Sequence, residues 1–408
     1  MIYRVVGAER MQQVAELWDY CFEKKDEPFF QYYFEKYCGK DNMVIGGFDK
    51  VGDKEGLRTM LHANPYMLRL RGDEQLVPYL VGIATAPEAR GQHLLQPLLE
   101  TTFEVLRSQG FTFVTLMPIS AGIYLPYDFA YCYYRHEYKM PMAALAPAAI
   151  GSDLTVERVR LADVLAAAMQ EQDSCEANEL AAVYARVTAA WNGVPKRTAF
   201  QWRKLLSVMT AESVQCAVVY RTGKAAGYLL YTISEERFTA HELLADDFAA
   251  KNRLLQFAAG HKSEAREFCW LAEDWDKTYL GFKEQQYAGA LAPFMMARCL
   301  DARRALKELP VPQSLPKDSV VLLLTDSVID RNNHLLKLLT APGHLEVVST
   351  AEQEEVTMNM GAFTQLYFGT FSATELWEAG RIKCSDIEKL RLLDALFQKV
   401  RTYNNEYF

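Results

Sequence analysis

The stretch 80–134, LVGIATAPEARGQHLLQPLLETTFEVLRSQGFTFVTLMPISAGIYLPYDFAYCYY, leaves this chain few ways to fold. Leu80, Val81, Ile83 and Thr85 make an apolar, β-branched run that Pro87 stops. From His93 onward the apolar residues Leu94, Leu95, Leu98, Leu99, Phe103 and Leu106 recur at helical spacing. A strand therefore runs almost directly into a helix. Such a junction aims the unpaired backbone N–H groups of Gly91, Gln92, His93 and Leu94, with the positive end of the helix dipole, at whatever docks beside the turn. The favoured guest is a phosphate.

A chain of 408 residues exceeds one ordinary core, and we divide it into three domains. Half of its residues are hydrophobic and 24% charged, the composition of a globular protein rather than a disordered or fibrous one. No apolar run approaches the ~20 residues needed to span a bilayer, and Met1-Ile2-Tyr3-Arg4 reads as the start of a strand rather than a secretory signal, so a cytoplasmic location without membrane contact is expected. The eight cysteines are scattered, without a Cys-x-x-Cys pair or a nearby histidine cluster, and imply neither disulfides nor a metal site. A net charge of −8 argues against nucleic acid as a partner and permits a cationic amine.

Along the chain, an amphipathic helix carries Met11, Val14, Leu17, Trp18, Cys21 and Phe22, and a second, aromatic helix follows Pro28. Strands at 43–48, 57–62, 66–71 and 76–85, with turns at 49–56, Asn64-Pro65 and Gly72-Asp73, make a meander. The Ala- and Pro-rich segment 141–152 marks a first boundary. A second unit then repeats the order of elements, but carries Asp246-Asp247 where the first has Arg90-Gly91, and two carboxylates would repel a phosphate. Whether that order reflects a repeated fold or merely a common α+β arrangement is open at this point. Prolines at 310, 312 and 316 reset the chain before further strands at 320–325, 345–348 and 355–359, a helix at 361–368 and a last helix at 385–400.

The block 80–134 resembles the acetyl-CoA-binding core of the GCN5-related N-acetyltransferases, the GNAT superfamily. Arg90-Gly91-Gln92-His93-Leu94-Leu95 occupies the slot of that family's Arg/Gln-x-x-Gly-x-Gly/Ala pyrophosphate loop, with His93 and Leu95 where the family has small residues. Ala121-Gly122-Ile123-Tyr124 followed by Tyr127-Asp128-Phe129-Ala130-Tyr131 is similar to the G-I-Y-x-x-F-G-Y segment of the enhanced-intracellular-survival (Eis) type, a multi-acetylating subfamily. Phe363-Thr364-Gln365-Leu366-Tyr367-Phe368-Gly369 resembles that subfamily's L-x-x-L-Y-L-G, and Leu390-Arg391-Leu392-Leu393-Asp394-Ala395-Leu396-Phe397 its L-x-x-L-D-x-x-F. The resemblance implies an α+β fold of tandem GNAT domains, each a mixed sheet flanked by helices and the second degenerate, followed by a sterol-carrier-protein-like α+β domain. The expected domains are 1–148, 149–290 and 291–408.

It also implies an acetyl-CoA-dependent N-acetyltransferase acting on an amine: an aminoglycoside, a polyamine or a lysine side chain of a peptide. A homo-oligomer, commonly a hexamer, is implied as well. Acetyl-CoA would contact Ile83, Thr85, Arg90, Gly91, Gln92, His93 and Leu94. Tyr124 would be the general acid for the departing thiolate, or else one of a crowd of core tyrosines. The carboxylate of Phe408 would be the general base, delivered from the third domain into the first, or else part of a frayed terminus. Trp18, Phe22, Asp26, Glu27 and Glu406 would line the amine pocket, the first four being alternatively a packed aromatic face with solvated charges. His93 either adds a hydrogen bond to phosphate or, the reading preferred here, is an exposed substitution for glycine whose Cβ crowds the loop, lowering cofactor affinity. The rival function is a non-catalytic protein that binds coenzyme A or carries an apolar ligand.

Overall fold

The apolar run ending at Thr85 is the hub of a sheet. In a computed structural model of the chain, described throughout except at residues 52–53, 148–152, 171–178, 283 and 407–408, it belongs to a long strand, β4 (Asp73–Thr85). Before it come β1 (Ile2–Val5), β2 (Met43–Val51) and β3 (Lys54–Leu70), each antiparallel to the next, and β4 then pairs in parallel with β5 (Phe113–Leu116). The helices α1 (Met11–Cys21), α2 (Pro28–Tyr32), α3 (Leu95–Ser108) and α4 (Ala121–Tyr124) complete this module. The turn expected at Asn64-Pro65 does not exist. β3 passes straight through it, because Pro65 stands opposite Pro78 on β4, so the two residues that lack an N–H share one rung of the ladder. The turn at Gly72 does form, with Arg71 at φ 56 and Gly72 at φ 90.

Alternation along the strands sends neighbouring residues to opposite faces. Val44, Met60 and Ala84 pack with Val14, Leu17 and Trp18 of α1. Ile45, Leu61 and Leu80 pack with Leu98, Leu99, Phe103 and Leu106 of α3, whose apolar stripe is the periodicity visible in the sequence. Burying each such side chain contributes roughly 1.5–3 kcal/mol, which is what holds α3 to the sheet.

The chain divides into two compact units. The first joins Met1–Tyr133 to Asn192–Pro195 and to the chain from Phe294 onward. Within it, Met296–Cys299 lies antiparallel to β5, so the first sheet is extended by a strand from far along the sequence. A five-stranded sheet follows, in the order His344–Ser349, His334–Ala341, Asp318–Thr325, Val356–Asn359, Ile382–Cys384. The strand His334–Ala341 and the helix Ala373–Glu378 were not apparent from the pattern, and the last helix, Ile387–Leu396, stops short of the expected residue 400. The helix Met360–Phe368 is buried along its whole length, which explains its lack of a polar face in the sequence.

The second unit comprises Tyr134–Trp191 and Lys196–Pro293. Its sheet runs from 134–141 through Glu267–Glu273, Arg237–Ala245, Lys224–Ile233 and Gln215–Arg221 to Leu154–Val159. In the loop that carries Asp246 and Asp247, both carboxylates are engaged by arginines of the same unit. Asp246 pairs with Arg186 at 3.0 Å and Asp247 with Arg221 at 2.7 Å, while Asp247 also caps the helix Phe248–Ala259 through the Ala250 N–H. An anion is thus supplied to that helix by the chain itself.

Candidate active site

β4 carries a bulge. Met60 pairs with Ala84 and His62 with Val81, so Leu61 alone faces both Gly82 and Ile83. Gly82 sits at φ +58, and a Cβ there would lie 2.3 Å from Cζ3 of Trp18 and 3.2 Å from Cδ2 of His62. Only glycine meets both demands. Beyond the bulge β4 leaves its neighbour: β5 pairs with it only at Tyr79–Thr115 and Leu80–Leu116, and residues 81–85 continue without it. The parting strands leave backbone polar groups available beside the bulge.

The loop after β4 supplies a cradle of donors. Arg90 is exposed, with Nε 3.3 Å from the Thr85 carbonyl, and Gly91 is at φ +76 with open space where a Cβ would stand. His93 is exposed and also left-handed, at φ 55, a conformation that costs a side-chain-bearing residue roughly 1–2 kcal/mol. The helix proper begins at Leu95, with Leu94 at its N-cap. Among the described residues, no acceptor engages the backbone N–H groups of residues 91–96. These donors fit a pyrophosphate, whose charge suits Arg90 and the helix N-terminus.

Tyr124 ends α4 and is buried, its ring edge-on to Phe129 at 5.9 Å among Phe103, Leu98 and Leu99. Burial pushes its phenol above the ordinary value of 10. Its hydroxyl makes no hydrogen bond among the described residues, so its ring is a core residue while its proton is uncommitted.

On the other face of the bulge stands an aromatic wall. Trp18 packs on Phe22, Tyr33, Phe34 and His62 at centroid distances of 4.8, 4.9, 5.7 and 4.9 Å. Its indole N–H donates to Glu23 Oε2 at 2.7 Å. Of the four residues expected as an amine clamp, Trp18 and Phe22 belong to this wall, whereas Asp26 and Glu27 are exposed, and Glu27 accepts the Lys24 N–H at 3.1 Å. The wall also holds a polar knot that the sequence reading missed. The Tyr33 hydroxyl lies 2.9 Å from His62 Nδ1 and 3.2 Å from Asn64 Oδ1, and Asn42 Nδ2 donates to both Tyr33 and Asn64 at 2.9 Å. His62 is fully buried, which lowers its pKa to about 3, and its Nε2 has no partner among the described residues.

Three family models match the chain: an acetyltransferase (GNAT) domain over residues 2–132, a second acetyltransferase (GNAT) domain over 193–299, and a sterol carrier protein domain over 302–405. The chain carries two GNAT domains and a sterol carrier protein domain. By class it is an N-acetyltransferase. No curated protein sequence matches it. Among solved structures it is similar to a conserved protein of Enterococcus faecalis V583 described as a probable N-acyltransferase, at TM-score 0.82 and 21% identity over 100% of both chains. A GCN5-related N-acetyltransferase from Anabaena variabilis matches over 100% of both chains, at TM-score 0.78 and 17% identity. Eis1 from Mycobacterium abscessus matches at TM-score 0.68 and 18% identity over 90% of each chain.

The first GNAT domain and the sterol carrier domain are locked together within the first unit. Arg298 is fully buried and pairs with Asp326 at 2.6 Å and Asp128 at 3.8 Å, and it also donates to the Tyr127 carbonyl. Asp128, four residues after Tyr124, accepts from both the N–H and the hydroxyl of Ser327, at 2.8 and 2.7 Å. The C-terminal segment comes back to this domain: residues 402–406 are all buried. Glu406 is near enough to Tyr66 of β3 that its charge, after burial itself, helps raise the Tyr66 phenol well above its usual value. Phe408 lies outside the described residues. Among those described, no group of three metal-ligating side chains is found, the cysteines are free, and no helix is long and apolar enough to cross a membrane.

Proposed function

We propose that this protein transfers acetyl from acetyl-CoA directly to the amine of a small molecule or of a lysine-bearing peptide, in the cytoplasm and as a homo-oligomer. The single observation that carries the reading is the pairing of the β4 bulge, splayed from β5, with the free N–H cradle at 91–96 on the same strand's exit. Acetyl-CoA supplies the activated thioester. Gly91, Gln92, His93 and Leu94 bind its pyrophosphate with Arg90, and Ile83 and Thr85 offer the strand edge to its amides. The backbone turned out of the ladder at Gly82–Ile83 aims a donor at the developing oxyanion.

Tyr124, held protonated by burial, gives its proton to the departing thiolate. The Phe408 carboxylate takes a proton from the substrate ammonium, and the amine lone pair so freed attacks the thioester carbonyl. Burial of the tail over residues 402–406, with Glu406 close to Tyr66 of β3, supports that role. Trp18, Phe22 and Glu406 line the amine pocket, with Glu406 attracting the cation, and the exposed Asp26 and Glu27 steer it from outside.

The test is incubation of the full chain with acetyl-CoA and a panel of amines, following thiol release. Turnover that is lost on extending the chain by a Gly-Ser segment beyond Phe408, with coenzyme A binding retained, supports the assignment. No release with any amine, together with no thermal shift on adding coenzyme A, favours the carrier reading instead.

A further inference from the structure

The segment Asn192–Pro195 leaves the second unit and is built into the first. Its strand Val194–Pro195 pairs with Leu68 and Arg69, on the stretch of β3 beyond Ala63 where β2 has ended. Gly193, at φ +65, donates its N–H to the Arg69 carbonyl at 2.7 Å, and its own carbonyl accepts from the Tyr133 hydroxyl at 3.0 Å. A Cβ at residue 193 would lie 2.7 Å from that hydroxyl, so the segment is fitted to its place.

Asn192 heads this segment and uses every polar group it has. Its side-chain Nδ2 donates to the Phe368 carbonyl at 2.7 Å, at the end of the helix Met360–Phe368, and its Oδ1 accepts the Arg71 N–H at 2.6 Å, at the β3–β4 turn. Its backbone N–H donates to the Arg401 carbonyl at 2.8 Å, and its backbone carbonyl accepts from the Tyr403 N–H at 2.9 Å. The last two bonds straddle Thr402 and form a one-residue parallel bridge to the C-terminal tail. From the tail side, the Thr402 hydroxyl donates to the same Phe368 carbonyl at 3.0 Å. Residue 192 is 6% exposed and residues 402–406 between 5 and 9%. A tail with no helix or strand of its own is otherwise prone to fray.

We infer that Asn192 is a positioning residue for acetyl transfer: it pins the tail at Thr402, so that the residues following it enter the first GNAT domain in one register. This rests on the catalytic role proposed above for the tail. The geometry separates two functions that a mere packing residue would not separate, because the hydrogen bonds of Asn192 go to the tail, the β3–β4 turn and the helix end and not to residues 83–94, which would hold acetyl-CoA.

The experiment compares wild type with Asn192→Ala and with Thr402→Val, the latter removing only the tail's own bond, by hydrogen exchange of peptides spanning 399–406 and by steady-state kinetics. The expected result is tail exchange at least about tenfold faster and kcat at least about tenfold lower in Asn192→Ala, with KM for acetyl-CoA within about twofold of wild type. Thr402→Val shifts both in the same direction by less. Tail exchange that is unchanged in both variants overturns the inference. So does a loosened tail with unchanged kcat. Failure of the parent reading is visible separately, as an unchanged rate in the chain extended beyond Phe408.

Discussion

Arg298 and Asp326 meet at 2.6 Å with neither side chain exposed to solvent, and the second carboxylate in reach of that guanidinium is Asp128, just past Tyr124. The pair thus fixes the sterol carrier domain against the loop that carries the proposed acid. Removing the cation alone leaves two buried carboxylates without the guanidinium they share. We expect Arg298→Met to cost about 3–5 kcal/mol in urea unfolding, and Arg298→Met with Asp326→Leu to recover part of it. A loss under about 1 kcal/mol for the single change would mean that water reaches the pair.

Tyr124→Phe keeps the ring that packs on Phe129 and removes the proton. Turnover should fall by about 10²–10⁴ with coenzyme A affinity retained. Because burial raises the phenol, it stays protonated through neutral and mildly alkaline pH, so Tyr124 produces no fall in kcat over that range. Full activity in Tyr124→Phe would remove it from the chemistry.

Gly82→Ala forces a left-handed alanine and a Cβ 2.3 Å from the Trp18 ring. The ring must move or the bulge must flatten. A destabilisation of about 2–4 kcal/mol in chemical unfolding is expected, with acetyl transfer lost even where the protein still folds. Wild-type stability and rate in this variant would show that neither the bulge nor Trp18 is fixed.

His93→Gly relieves the positive φ without removing any contact of a buried atom. Stability should rise or hold within about 1 kcal/mol, since glycine also loosens the unfolded chain. Coenzyme A should bind the variant more tightly by titration calorimetry. Equal or tighter binding by wild type contradicts the view that the His93 Cβ crowds the loop.

His62 sets an acid limit on stability. Its folded pKa is depressed from 6.5 to about 3, so the folded state keeps it neutral while the unfolded chain takes up a proton below about 6.5. Its contribution is therefore complete above that pH and is lost progressively as pH falls toward 3. By pH 5 the loss should be about 2 kcal/mol, and His62→Gln should show a correspondingly flatter profile between pH 7 and 5. Parallel profiles would mean that His62 is hydrated when folded.

Much of the fold was legible because it is written in short-range pattern. The α3 stripe, the Pro87 stop, the Gly72 turn and the strand and helix order over residues 215–273 of the second unit follow from local spacing, whereas the edge strand Leu154–Val159 does not stand out in the pattern. The tandem GNAT and sterol carrier architecture came from motif resemblance and is matched by the family models. What escaped the reading depends on partners remote in sequence. Asn64-Pro65 reads as a turn unless Pro78 is known to stand opposite, and nothing local to Asn192-Gly193 points to Thr402 passing beside it. The polar knot of Asn42, Tyr33, His62 and Asn64 likewise joins residues that carry no shared motif. One missed feature did leave a local signal: an isolated glycine inside a strand pattern, Gly82, is the usual mark of a bulge.

The neighbour of β5 on its outer side is Met296–Cys299, and the free stretch of β3 is covered by Val194–Pro195. On the ribosome, the first sheet therefore remains open at both places until those segments emerge, long after β4 and β5 have been made. A nascent chain halted before residue 299 would present β5 as a bare edge, available for pairing with another chain. Acetylation competence thus arrives late in translation, and the separate N-terminal half should be a poor catalyst and a prime client for chaperones.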